Sequence, residues 1–226
     1  MYISIIIPAF NEERYIKKTV ESVHRQNFKD YETIVVANGC TDTTEQIVKQ
    51  FGNVRCLSLP QPNVSVARNI GALAATGEIL LFLDADTQLH PDSLKAINTT
   101  FTQEYAVATT RSYPDTPLWR YKIVLAFKNW YNASALYQGC SGALICRKKD
   151  FHAVGGYQPD LSVREHRKLT LALKKQGKYL FIDTPTTTSM RRYHRWGIGK
   201  AVVFWTQQWI NDKRGKLQKT KYEVVR

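Results

Sequence analysis

Three nearly unbroken apolar runs, ISIII at 3–7, TIVVA at 33–37 and ILLFL at 79–83, constrain this chain more than any other feature. A strand covered on one face alternates apolar and polar residues, because successive side chains point to opposite sides. An unbroken run requires burial on both faces, as in a parallel sheet layered by helices. Helical patterns separate the runs. Residues 12–26 set Ile16, Val20 and Val23 on one stripe, and Thr41 or Asp42 caps a second helix through Phe51. A weaker strand spans 54–59, and a helix over 64–75 has Gly77 as its stop. Pro91-Asp92 opens another helix, and 105–109 reads as another strand. This alternation predicts a parallel, right-handed α/β sandwich.

Beyond Arg111 the pattern loosens. Residues 118–137 read as an amphipathic helix, 142–146 as a strand, 163–176 as a helix ended by Gly177, 179–183 as a last strand and 196–212 as a tail helix. The final KRGKLQKTKYEVVR reads as loosely ordered.

With 43% hydrophobic and 23% charged residues, the chain is ordinary globular protein, which excludes disorder and coiled coil as its main state. No run reaches the roughly 18 apolar residues of a membrane span. MYISIIIPAF has neither a basic n-region nor a cleavage site, so the mature chain is expected to begin near Met1 and to stay in the cytoplasm. Cys40, Cys56, Cys140 and Cys146 form no CxxC and read as small buried hydrophobes in a reducing compartment. The net charge of +13 is uneven: residues 1–110 carry −3 (9 basic, 12 acidic) and residues 111–226 carry +16 (23 basic, 7 acidic). The second half therefore suits an anionic partner.

Ligands of open α/β sheets bind beyond the carboxyl ends of the strands. Those ends carry Pro8-Ala9-Phe10-Asn11-Glu12, Asn38-Gly39-Cys40-Thr41-Asp42 and Asp84-Ala85-Asp86. Mg²⁺ uses one or two carboxylates and fills its octahedron with water and phosphate oxygens, so Asp-x-Asp suits a metal–diphosphate complex. The competing reading is a capped, solvated turn. No GxxxxGK[ST], GxGxxG after the first strand, HExxH or GxSxG occurs.

The stretches SIIIPAFNEERYI, VVANGCTDTTEQIV, ARNIGALAATGEILLFLDADT and, more loosely, GALICRKKDFHAVGGY with REHRKLTLALKKQGK resemble the family 2 glycosyltransferases of GT-A fold, over about residues 3–183. The resemblance implies a GT-A-like Rossmann-type sandwich with a mostly parallel sheet. It implies a nucleotide-sugar donor held by Pro8, Ala9, Phe10, Glu12, Asn38, Arg68, Asp84 and Ala85. Asp84 and Asp86 would hold Mg²⁺ or Mn²⁺. Asn38 stands where the family commonly has an Asp that hydrogen-bonds the base, VDDGSTD having become VANGCTD. Arg68 would lie against the nucleotide, with a surface salt bridge as the plainer reading. Gln88 stands where polyprenyl-phosphate sugar synthases have a metal-proximal Gln.

Transfer from a nucleoside diphosphate needs one base for the acceptor proton. The family presents it as Glu-Asp before a helix; here Arg164-Glu165-His166 occupies the region and makes Glu165 the candidate. The alternative is a solvated acid paired with Arg164 or Lys168. His194, in Arg191-Arg192-Tyr193-His194-Arg195-Trp196, is a candidate third metal ligand, and Arg191, Arg192 and Arg195 could steady a diphosphate. A carboxylate pair this close in sequence disfavours glycoside hydrolysis.

Residues 118–137 and 196–210 mix Trp, Tyr and aliphatics with Lys and Arg, as interfacial helices do, and suit a lipid-linked acceptor on the inner face of a membrane. The bland alternative packs their apolar positions on the sheet. Nucleic acid ranks lower, because no recognition signature accompanies the charge.

The reading is a metal-dependent inverting transferase. Residues 1–190 form the GT-A domain, with 1–110 the nucleotide-binding half and 111–190 the acceptor half. Residues 191–226 form a basic extension. A catalytically silent nucleotide-sugar-binding or scaffold protein is the rival from another class.

Overall fold

The computed structural model describes residues 1–134, 137–140 and 142–217. The apolar runs become β1 (Ile3–Ala9), β2 (Tyr31–Asn38) and β4 (Ile79–Leu83), with β3 (Val54–Leu59) beside β2. These four are parallel neighbours, in register through Ile5↔Thr33, Thr33↔Val54 and Ile5↔Leu81. The connecting helices are α1 (Ile16–His24), α2 (Thr44–Lys49) and α3 (Val64–Ala74). Asn63 caps α3 by accepting the Val66 N–H at 3.0 Å.

The rest follows as β5 (Thr87–Leu89), α4 (Ser93–Thr100), β6 (Tyr105–Pro114), α5 (Trp119–Ala133), β7 (Ala143–Arg147), α6 (Lys148–Ala153), α7 (Glu165–Leu173), β8 (Lys178–Thr188) and α8 (Arg191–Lys213). The eight strands make one sheet in the order β3-β2-β1-β4-β7-β6-β8-β5. It is mixed rather than wholly parallel: β7 runs antiparallel to β4 and β6, and β5 antiparallel to β8. A run buried on both faces lacks the alternation that would betray its neighbours, so GALIC carries no mark of strand direction.

Two cores flank the sheet, as the two-sided burial requires. Along β1 and β4, Ile3, Ile5, Ile7, Ile79, Leu81 and Leu83 face one side with α1 and α4. Ile6, Leu80 and Phe82 face the other, with α3, α6 and α7. At Gly71 a Cβ would fall 2.4 Å from Ile6 Cγ2, so α3 lies against β1 at a distance only glycine permits.

α5 and α8 stand outside both cores. They share a small cluster of Tyr121, Leu125 and Met190. α8 breaks at Gly197 (φ 75°, ψ 159°), and its second limb is the expected tail helix. Of the expected helix 118–137, residues 135–136 lie outside the described residues, as do 218–226 of the expected loose tail. All four thiols are free; Cys146 is buried and the other three are half-buried.

Candidate functional site

The three predicted strand ends meet at one pocket of about 1160 Å³. Pro8, Phe10, Glu12, Asn38, Asp84 and Asp86 line one end. Ala9 does not line it: it is fully buried, and its carbonyl accepts from the Cys40 thiol.

The Asp84-Ala85-Asp86 turn is held from three directions. The Asp84 N–H donates to the Gly142 carbonyl at 2.9 Å, Thr19 Oγ1 donates to the Ala85 carbonyl at 2.7 Å, and the Ser189 N–H donates to the Asp86 carbonyl at 3.2 Å. Gly142 has φ +70°, and a Cβ there would meet Thr87 Oγ1 at 3.0 Å. The turn is therefore buttressed by α1, the β7 approach and the start of α8, and is not the solvated cap allowed by the sequence.

Two arginines partner four acids. Arg68, 3% exposed, donates to Asp84 Oδ1 and to Glu165 Oε1, both at 3.0 Å. It is thus neither at the surface nor in a simple pair. Arg191 forks onto Glu12 at 2.6 and 2.7 Å and reaches Asp86 Oδ2 at 3.0 Å. Arg164 and Lys168 instead bind Asp212 on α8, at 2.9 and 2.6 Å. Arg164 itself sits at φ +59°, a costly conformation for a side-chain-bearing residue, and it places Glu165 at the first position of α7.

The environments push the two aspartates apart. Burial raises Asp84, but the His166 imidazole and the Arg68 guanidinium outweigh it and hold the carboxyl well below its ordinary value. For Asp86 burial wins: it is pushed up to about 7 against the pull of Arg191, with the charges of Asp84 and Glu12 adding to the rise. His166 Nδ1 pairs with Tyr157 Oη at 2.9 Å, while its buried Nε2 has no hydrogen-bond partner and lies 3.9 Å from Asp84 Oδ1.

This donor set fits a divalent cation in one manner. No cluster of three or more His, Cys, Asp or Glu ready to hold a metal occurs among the described residues. Two carboxylates do face the pocket, and a hard divalent cation takes oxygen ligands of this kind, one or two at a time. Ligand oxygens and water would supply the remaining positions. The structure does not bring His194 there: its Nδ1 lies 3.3 Å from Tyr121 Oη, and it does not line the pocket. Gln88 is a β5 residue paired with Thr187, also away from the pocket lining.

Asn38, 4% exposed, accepts the Asn63 N–H on Oδ1 at 2.8 Å, so its amide is left to offer N–H donors to a pocket ligand. Sequence reasoning did not single out Asn63 or Lys128 for the pocket. Lys128 lines it from α5, and burial lowers its pKa although Asp84 and Asp86 pull it up. Its only sequence signal is a basic residue on a helix that also carries Arg120 and Lys122, and nothing local sets it apart from them. The Glu12–Arg191 contact joins positions 179 residues apart and has no local signal at all.

The model of the glycosyl transferase family 2 matches residues 4–195. The chain belongs to glycosyl transferase family 2. It is 33% identical over 99 residues to glycosyltransferase GlyA of Streptococcus pneumoniae serotype 4, covering 42% of this chain and 14% of that one. The fold is similar to that of TarS residues 1–349 from S. aureus in complex with UDP-GlcNAc, with a TM-score of 0.68 and 20% identity over 84% of this chain and 59% of that one. It is also similar to the mannosyltransferase PcManGT of Pyrobaculum calidifontis in complex with GDP-Man and Mn²⁺, with a TM-score of 0.72 and 18% identity over 99% of this chain and 65% of that one. The family 2 chain thus spans a small part of GlyA and about three-fifths of these solved chains. The GT-A sandwich expected from the motifs is the fold it has, with a mixed sheet.

Proposed function

We propose that this family 2 chain moves a sugar from a nucleoside-diphosphate donor to an acceptor hydroxyl or a lipid phosphate, with inversion. What carries the reading is the convergence of Asn38, Asp84, Asp86 and Glu165 on one pocket from three separate places in the fold, the end of β2, the turn after β4 and the start of α7. The nucleotide sugars in the complexes of TarS and PcManGT, UDP-GlcNAc and GDP-Man, support a nucleotide sugar as the ligand class.

In this reading residues 1–110 hold the donor, with Pro8 and Phe10 against the nucleoside, Asn38 donating to the base edge and Asp84 on the ribose side. Residues 111–190 present the acceptor, and 191–226 form a basic extension. Asp84 and Asp86 would hold Mg²⁺ or Mn²⁺; bound there, the ion neutralises charge growing on the leaving diphosphate. Arg191 contacts only Oδ2 of Asp86, which leaves Oδ1 for such an ion. Glu165 takes the acceptor proton as the acceptor oxygen bonds to the anomeric carbon and the bond to the diphosphate breaks. Arg68 orients Glu165 and ties its position to Asp84. A lipid phosphate is already anionic and needs no such base, so Glu165 matters only for a hydroxyl acceptor.

The test is metal-dependent thermal stabilisation across a panel of nucleotide sugars, followed by donor turnover. One donor class with Mn²⁺ or Mg²⁺ should raise Tm, since a ligand that prefers the native state stabilises it. Asp86→Ala should abolish that rise and reduce turnover by about 10²-fold or more. Unchanged metal binding and turnover in Asp86→Ala would refute the assignment.

A further inference from the structure

α5 is apolar on two sides. Tyr121 and Leu125 are buried beside Met190. Trp119, Ile123, Phe127 and Trp130 follow one another at helical spacing on another side and are 72, 58, 64 and 59% exposed. The second limb of α8 repeats the arrangement. Ala201 and Gln208 turn inward, while Val202, Val203 and Trp209 are 56, 70 and 47% exposed. Phe127, Val202 and Trp209 also line the pocket, so both exposed faces border its mouth. Apolar surface grouped in this way marks an interaction site.

Charge selects the occupant. α5 carries Arg120, Lys122 and Lys128 and no acid. The second limb of α8 carries Lys200 and Lys213 and one acid, Asp212, which Arg164 and Lys168 already hold. Tryptophan beside cations is the composition of helices that lie at headgroup depth on anionic lipid. No helix among the described residues is long and apolar enough to cross a membrane, so such a contact would be made in the plane of the surface.

We propose that α5 and the second limb of α8 dock the chain on an anionic lipid bilayer, with the mouth of the pocket turned toward it. This goes beyond the transferase reading and does not depend on it, because the test needs no donor. The full chain should sediment with phosphatidylcholine vesicles containing phosphatidylglycerol, and much less with phosphatidylcholine alone. Binding should weaken between about 0.1 M and about 1 M salt as the screening length shrinks from about 10 to about 3 Å. The triple variant Trp119→Ser, Ile123→Ser, Trp130→Ser should bind these vesicles more than about tenfold more weakly, because three apolar side chains leave the interface. A second variant, Arg120→Glu with Lys122→Glu, changes only exposed charges and should lose the preference for anionic lipid; it keeps the test decisive if the first misfolds. Failure to sediment at low salt overturns the proposal. So does a dimer that the triple variant dissolves, which would make a second copy the occupant, or retention of RNA without vesicle binding.

Discussion

Replacing Arg68 by Met should cost the fold about 3–5 kcal/mol, the usual penalty for breaking a buried ion pair from one side. Met fills much of the same stem volume, so the loss is not that of a large cavity. What disappears is the cation between Asp84 and Glu165, each 3.0 Å from the guanidinium, and its stacking 5.1 Å above the Tyr157 ring. The two acids do not suffer equally. The Asp84 side chain is 36% exposed and keeps water and His166 nearby, whereas that of Glu165 is 14% exposed. Most of the penalty should therefore sit on Glu165. Neutralising it as Glu165→Gln in the Arg68→Met background should recover about 1–3 kcal/mol, a coupling typical of contacting residues. Urea denaturation with an unchanged slope measures both values, and melting should show about 2–4 °C per kcal/mol. A single-variant loss below about 1 kcal/mol, or a double variant no more stable than the single, would refute the shared-cation account.

Asp212 gives the acid dependence. Burial raises its pKa, but Lys168 and Arg164 outweigh burial and hold it below the ordinary value. Its stabilisation is therefore complete above the unfolded value of about 3.9 and is lost as pH falls toward the lower folded value. Denaturation midpoints of Asp212→Asn should show a shallower fall below about pH 5 than the parent; an identical acid limb would remove Asp212 from the account. At Gly71, alanine improves helix propensity by about 1 kcal/mol. Its Cβ would nevertheless stand 2.4 Å from Ile6 Cγ2, and overpacking of this kind costs about 1–3 kcal/mol. Gly71→Ala should be net destabilising in chemical denaturation, and a stabilised variant would mean that α3 can move off β1.

The strands that carry the site were legible because each is a run buried on both faces, followed at once by polar residues. Such runs report their own burial and their own ends. They do not report neighbours, so β7 was expected as a strand but not as one antiparallel to both β4 and β6. The short β5 was missed because three residues give no periodicity to read. The candidate base illustrates the same divide. The family resemblance singled out Glu165 as the candidate from its place before a helix, and the ion-pair partner that the structure gives it is Arg68 rather than Arg164 or Lys168, both of which bind Asp212 on α8.

What the amino-acid order determined by itself was local: where strands stop, which acids follow them, and that the basic, tryptophan-bearing half differs from the first. What only the folded chain decided was pairing at long range. Arg191 reaches Glu12 across 179 residues, and His194 turns to Tyr121 instead of to the aspartates. Apolar periodicity is set by the geometry of one segment. Which cation meets which carboxylate depends on how distant segments are brought together, and no local pattern encodes that distance.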